Sequence, residues 1–262
     1  MAAAKEPPPA AMNLGGGGPL EITAGKSLEW HQNDHKYLAR GAATAVRGEV
    51  TISAEELAAY ERPGADKKQE IYKLTAQQNV KITTKQQQIY GDEGYYDADR
   101  RVAILTGKDL RFVSPNETVT ARDALEYWQD KRQAIARGQA VAVRDKRRIE
   151  ADLMTAQFQE TKDGGMELQQ LTATGNVVIT TASDIARGTK AVYDIKRNTA
   201  VLSGNVRVTR GASQLNGSVA EVDFKTGISW MTAAGKSGRV RALFVPSAHE
   251  TETGKTSPLE QP

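Results

Sequence analysis

The sequence predicts an all-β fold, with at most a helical turn or two, and three observations lead there. The chain repeats itself, its apolar residues alternate with a period of two, and its composition is lean in core-forming side chains. The repeat comes first, because an internal duplication decides the architecture before any local reading does. Sliding the chain by 97 positions superposes Ser27-Leu28-Glu29-Trp30 on Ala124-Leu125-Glu126-Tyr127, Ala39-Arg40-Gly41 on Ala136-Arg137-Gly138, and Ala45-Val46-Arg47 on Ala142-Val143-Arg144. The same shift places Leu74-Thr75-Ala76 on Leu171-Thr172-Ala173, Ile82-Thr83-Thr84 on Ile179-Thr180-Thr181, and Tyr96-Asp97 on Tyr193-Asp194. More than a third of the positions between Thr23 and Gly107 are identical to their counterparts. A shift of 163 also brings Arg47-Gly48 onto Arg210-Gly211, so a third, partial copy begins after Gly204.

Alternation then assigns strands within each copy. Over 174–181, Val177 and Ile179 share one face and Asn176, Val178 and Thr180 the other. Over 200–208, Ala200, Leu202, Gly204, Val206 and Val208 share a face opposite Val201, Ser203, Asn205 and Arg207. Tyr193 and Ile195 alternate with Asp194 and Lys196. Side chains of a strand point to opposite faces in turn, so this pattern fits half-buried strands. Gly, Asn and Asp between the runs supply turns, which suggests an all-β sandwich, roll or solenoid. The stretches 54–61 and 123–136 tempt a helical reading, but the repeat forces Leu125-Glu126-Tyr127 to match the strand Leu28-Glu29-Trp30.

Composition sets the outer limits. Apolar residues are 39% and aromatics 6%, too apolar for a disordered chain and modest for a dense globule. There is no cysteine, which excludes disulfide frameworks, thiolate nucleophiles and Cys-ligated metals. No apolar run is long enough for a helix to span a bilayer. With 35 basic and 32 acidic side chains the net charge is +3, which argues against nucleic acid as the main partner. Residues 1–18, with three successive prolines and four successive glycines, read as a disordered linker, and 248–262 as a disordered tail. Between them, 19–247 form one roll, with repeats at about 23–107 and 120–204 and the partial copy at 204–247.

The blocks Val201-Leu202-Ser203-Gly204-Asn205-Val206-Arg207-Val208 and Ala191-Val192-Tyr193-Asp194-Ile195 resemble the OstA-type repeat of the LptA/OstA family. The opening Pro19-Leu20-Glu21-Ile22-Thr23-Ala24 is similar to that family's first strand, and 238–247 to its last. This chain departs from the pattern by its length, with insertions near 62–70 and 157–166. The resemblance implies an elongated, slightly open, twisted β-jellyroll. It implies a non-enzymatic periplasmic bridge carrying lipopolysaccharide from the inner to the outer membrane, with its signal peptide removed. No cofactor is implied.

Residue roles follow from the same resemblance. Lipid-lining positions of the first strand map onto Leu20 and Ile22, and those of a central strand onto Tyr193 and Ile195. The same-face neighbours Val177, Ile179, Leu202 and Val206 join them, with Val80, Ile82, Tyr96 and Leu105 as counterparts in the first repeat. Inward residues of any β-roll also serve as plain core packing. A roll left unclosed exposes backbone donors and acceptors on its end strands, which invite another strand. Edge contacts are therefore expected at Leu20, Ile22, Val240, Leu243 and Val245. The family implies an LptC-like inner-membrane protein at the N-terminal edge, an LptD-like outer-membrane protein at the C-terminal edge, and head-to-tail homo-oligomers. Two alternatives stay open: an LptC-like, membrane-anchored member of the same system, and a β-solenoid scaffold or adhesion protein with a dry, fully packed interior.

Other features carry less. Seven basic residues lie between Lys131 and Arg148 against one acid, Asp145. Within them Arg144, Arg147 and Arg148 are candidates to meet lipid A phosphates at the rim, since arginine pairs bidentately with phosphate; a solvated outer face is the bland alternative. His31 and His35 could suggest a metal pair, but their counterparts are Trp128 and Arg132, and no metal is expected. No nucleophile elbow, paired catalytic carboxylates or phosphate loop is present, so no catalytic residue is assigned.

Overall fold

The computed structural model describes residues 18–64, 69–162, 166–233 and 238–245. The expected tail, His249 and all of the expected linker except Gly18 fall outside them. The first repeat contributes β1 (Glu21–Thr23), β2 (Ser27–His31), β3 (Lys36–Arg47), β4 (Val50–Pro63), β5 (Gln69–Thr83), β6 (Gln88–Asp97), β7 (Val102–Thr106) and β8 (Arg111–Val113). The rest of the chain forms β9 (Thr118–Thr120), β10 (Ala124–Trp128), β11 (Gln133–Arg144), β12 (Arg147–Glu160) and β13 (Met166–Thr180), then β14 (Asp184–Asp194), β15 (Thr199–Arg210), β16 (Ser213–Asp223), β17 (Ile228–Thr232) and β18 (Arg241–Leu243). A single 3-10 turn, Gln32–Asp34, is the only helical element among the described residues. The stretch 54–61 lies within β4.

Strands of up to fifteen residues are long for a small sheet, and these do not run straight. Pairing register slips between Arg40 and Ala43 in β3, Gln77 and Val80 in β5, Arg137 and Ala140 in β11, Thr174 and Val177 in β13, and Ser203 and Val206 in β15. At each of these five slips two consecutive residues take positive φ: Gly41-Ala42, Gln78-Asn79, Gly138-Gln139, Gly175-Asn176 and Gly204-Asn205. Glycine and asparagine tolerate that left-handed conformation best, which is why the Gly-Asn pairs sit where strands must bend. The bend re-aims the second half of each long strand away from the first.

The halves consequently belong to two facing sheets that share a crease. On one side, β2 pairs with the first half of β3, which pairs with the second half of β4, and so on through β7, β10 and out to β17. On the other, β1 pairs with the second half of β3, and the ladder continues through β8 and β9 to β18. All pairings are antiparallel, and hydrogen bonds unite all eighteen strands. The hairpin turns line the long side opposite the crease. Of the segments expected as insertions, the described residues pair Pro63 with Gln69 and Glu160 with Met166, and 65–68 and 163–165 lie outside the described residues.

Three places break the pattern of continuous, creased strands. At each of them the chain leaves one sheet as a short strand and enters the other as another: β1 and β2 at one end, β17 and β18 at the other, and β7, β8, β9 and β10 in the middle. In the middle, Leu105 of β7 faces Leu125 of β10 and Phe112 of β8 faces Val119 of β9, so the two repeats join in a seam that extends both sheets.

Candidate functional site

The space between the sheets differs sharply along the roll. In the first repeat the protein fills it down to a hollow of about 20 Å³. Val80 and Leu105 are 1% exposed, and Ile82 and Tyr96 are buried with them; these four expected lipid positions line that small hollow together with Ile22. Leu110, in the break between β7 and β8, tucks in over Gly91, where a Cβ would lie 3.1 Å from its Cδ2. At the mouth Tyr37 meets the buried Glu61; burial first, then the Glu61 charge and hydrogen bond, raises the tyrosine hydroxyl above its ordinary pKa. Trp30 stacks on Tyr37, with ring centroids 6.1 Å apart and planes 9° from parallel.

In the second repeat the counterparts of Tyr37 and Glu61 are Ala134 and Phe158. A cavity of about 300 Å³ occupies the vacated space just past the seam. Its apolar walls come from Ile89, Phe112, Val119, Leu125, Ala134, Ala142, Met154, Phe158, Leu168 and Leu171. Gln86, Gln87, Asn116 and Glu117 edge it with polar groups. None of the twelve lipid positions expected from sequence lines this cavity. Among the alanines that line it, the one difference of volume visible in the sequence is Ala134 in place of Tyr37; Ala136, Ala142 and Ala156 have alanine counterparts in Ala39, Ala45 and Ala59 and distinguish nothing.

Beyond the cavity the inner face opens. Ala186, Ala191, Val208, Leu215, Ala220 and Met231 are only partly covered. Ile179 and Tyr193 are half-buried on this face, while Val177, Leu202 and Val206 remain buried. Leu20 and Ile22 are half-buried against the core at the opposite end. The strand ends at Asp194, whose Oδ1 accepts the Arg197 N–H at 2.9 Å; Ile195 opens the turn, half-buried, with its N–H donating to the Gln169 carbonyl at 3.0 Å.

The rim arginines divide. Arg144 and Arg147 stand directly opposite each other across the β11–β12 hairpin. Like charges so placed repel. Burial, aided by the Arg147 charge, holds Arg144 below its ordinary pKa. Arg148 requires a correction: its neighbour Ile149 faces the core, so Arg148 points outward, where it donates to Glu150 at 2.9 Å. Glu117, half-buried at the mouth, is pushed above the usual carboxylate range by burial. Glu126 shows the contrary balance. Burial pushes it up, but bonds from Arg137 and Trp128 outweigh that and hold it low.

At the ends, Val240, Leu243 and Val245 are exposed, and among the described residues β1 pairs with β3 alone and β18 with β16 alone. His31 Nε2–H donates to Glu29 Oε2 at 2.9 Å, and His35 ends the 3-10 turn with positive φ. Among the described residues no group of three or more His, Asp or Glu is placed to hold a metal ion. The arrangement suits burial of an apolar chain with its polar part left at the mouth.

The family model described as LptA/(LptD N-terminal domain) LPS transport protein matches residues 21–123 and again 118–228. The chain is similar, with 18% identity and a TM-score of 0.41, to the crystal structure of LptH, described as the LptA homologous periplasmic component of the conserved lipopolysaccharide transport device from Pseudomonas aeruginosa. That match covers 50% of this chain and 95% of LptH. The search of curated proteins gave no match.

Proposed function

Since the chain belongs to the LptA/(LptD N-terminal domain) LPS transport protein family, we propose that it is a periplasmic bridge that binds lipopolysaccharide by its acyl chains. The observation that carries this reading is the apolar cavity past the seam, with the half-covered inner face of β14 to β16 further along the same roll. Each methylene held out of water is worth about 0.8 kcal/mol, so one fourteen-carbon chain represents on the order of 10 kcal/mol. A lipid with several such chains does not cross water unshielded, and an apolar trough removes most of that barrier. The cavity holds part of one chain; the others lie along the open face toward β17. Arg144 and Arg147 take a phosphate at the rim, which relieves their mutual repulsion. A packed scaffold would have no use for the hollow.

The end strands join partners by strand addition, an LptC-like protein at the β1–β2 edge, an LptD-like protein at the β17–β18 edge, or further copies of this chain. A trough only equilibrates its cargo, so direction comes from energy supplied elsewhere. The test is photo-crosslinking to lipopolysaccharide from Phe158 and Tyr193 on the inner face, with Gln159 and Val192 as outward neighbours. Labelling from the first pair alone is expected. Equal labelling on both faces, or at none of the four in a folded protein, overturns the reading.

A further inference from the structure

We infer that the seam inside this chain is a covalently joined copy of the joint between successive chains, and that it fixes which residues meet there: Leu28 of one copy faces Met231 of the next, Trp30 faces Ser229, and Ile22 faces Ala242. The inference rests on the strand-addition reading above and adds the register to it.

The argument starts from the matching of ends. A shift of 126 carries β6 and β7 onto β16 and β17. Gly94 faces Leu105 as Ala220 faces Met231, and Tyr96 faces Ala103 as Val222 faces Ser229. Ile89 faces Phe112 of β8 as Leu215 faces Ala242 of β18. The C-terminal end of the chain is thus built like the C-terminal end of the first repeat. The N-terminal ends match as well. Ile22 faces Ala45 as Val119 faces Ala142, and Leu28 faces Ala39 as Leu125 faces Ala136. Inside the chain these two kinds of end are joined, with Leu105 on Leu125, Ala103 on Tyr127 and Phe112 on Val119. Substituting equivalent residues gives the three pairs proposed.

Three further features fit. Strand direction alternates without a break from β2 to β17, so β17 of one copy runs antiparallel to β2 of the next, as β7 does to β10. Leu28 and Trp30 lie on the inner face yet are each 56% exposed, because nothing continues the sheet beyond them. Their seam counterparts Leu125 and Tyr127 are buried. Glu29 already holds Arg40, as Glu126 holds Arg137 at the seam, so the free edge is organised before any partner arrives. Outside the end strands, their flanking residues and the adjoining turn, only Val143 and Ile185 are large exposed apolar residues among those described. The contact is heterologous and does not close, so copies add in a line.

The chain has no cysteine, so engineered pairs report cleanly. Under oxidation the double variant Leu28→Cys/Met231→Cys is expected to give a ladder of linked chains on a non-reducing gel. The double variant Leu28→Cys/Trp230→Cys, whose second residue faces the other side of β17, is expected to give at least tenfold less. Either single variant alone gives none, while the two single variants mixed give dimers only. Dimers from Leu28→Cys alone mean a head-to-head joint and overturn the proposal, as does an equal ladder from both double variants. Sedimentation of the unmodified protein separates the failures. Association without the Leu28–Met231 ladder refutes the register, and a strict monomer into the hundreds of micromolar refutes strand addition itself, lipid binding standing apart from both.

Discussion

Tyr37 and Ala134 hold the same place on equivalent strands, 97 residues apart, and so do Glu61 and Phe158. In the first repeat the tyrosine meets the buried glutamate, and the space between the sheets shrinks to a hollow of about 20 Å³ among residues such as Ile22, Val80, Ile82 and Leu105. In the second, an alanine stands where the tyrosine was, and the sheets enclose a hollow instead. The two halves share backbone, crease and register, so neither fold nor pairing distinguishes a packed half from a receptive one. Side-chain volume at a few inward positions does. The break after β7 adds to this. It lets Leu110 turn inward, whereas the equivalent stretch of β15 runs through its crease as an unbroken strand to Arg210.

The largest effect that would break this comparison is on stability. Leu105 and Leu202 are equivalent and both buried, at 1% and 6% exposure, but the inner-face neighbours of Leu202 on β14 and β16, Ala191 and Ala220, are only partly covered. Truncation leaves a cavity only where the surroundings are closed, so Leu105→Ala is expected to lose about 3–5 kcal/mol and Leu202→Ala about 2 kcal/mol. Urea denaturation midpoints measure both. Equal losses would mean that the second repeat is packed as tightly as the first.

Next in size is binding. Ala134→Tyr together with Phe158→Glu imports the closure of the first repeat into the second. We expect a fluorescent fatty-acid probe to bind at least tenfold more weakly, a difference of about 1.4 kcal/mol, with a stability change of about 1–3 kcal/mol from crowding. The mirror change, Tyr37→Ala, opens the first repeat and is expected to add a probe site there. Unchanged binding in the closed variant would place the acyl chain elsewhere than this cavity.

The architecture was legible because it is written in pattern. The shift of 97 and the alternation around Val177, Ile179 and Tyr193 demand a repeated β-roll, and the Gly-Asn pairs mark its crease. Gln78-Asn79 bends β5 in the same way with no glycine to announce it. The cavity was not legible, since it arises from a difference of volumes summed across two facing sheets, and alternation reports direction only. The end of β14 was not legible at Ile195, because the alternation continues into the turn that follows Asp194. Arg148 misled because a run of arginines hides which of them faces inward; the pairing of Arg144 with Arg147 settles it.

The smallest expected effect concerns Glu117, which stands where the first repeat has Leu20. Burial raises its pKa in the folded chain, so its charged form is disfavoured there. The sign follows from linkage. Folding is unpenalised while the group is protonated, and stability falls as pH rises from its ordinary value through the raised one. Glu117→Gln should therefore be more stable than the unmodified protein near pH 7 and no different near pH 4, read from urea midpoints at both. An apolar tail seated in the cavity excludes more water from the mouth and raises this pKa further, so binding draws in a proton. Probe affinity should then weaken as pH rises through this range in the unmodified protein and stay level in Glu117→Gln. A pH-independent affinity in the unmodified protein would show that the bound chain does not reach the polar rim, and would move the site deeper toward Met154 and Leu171.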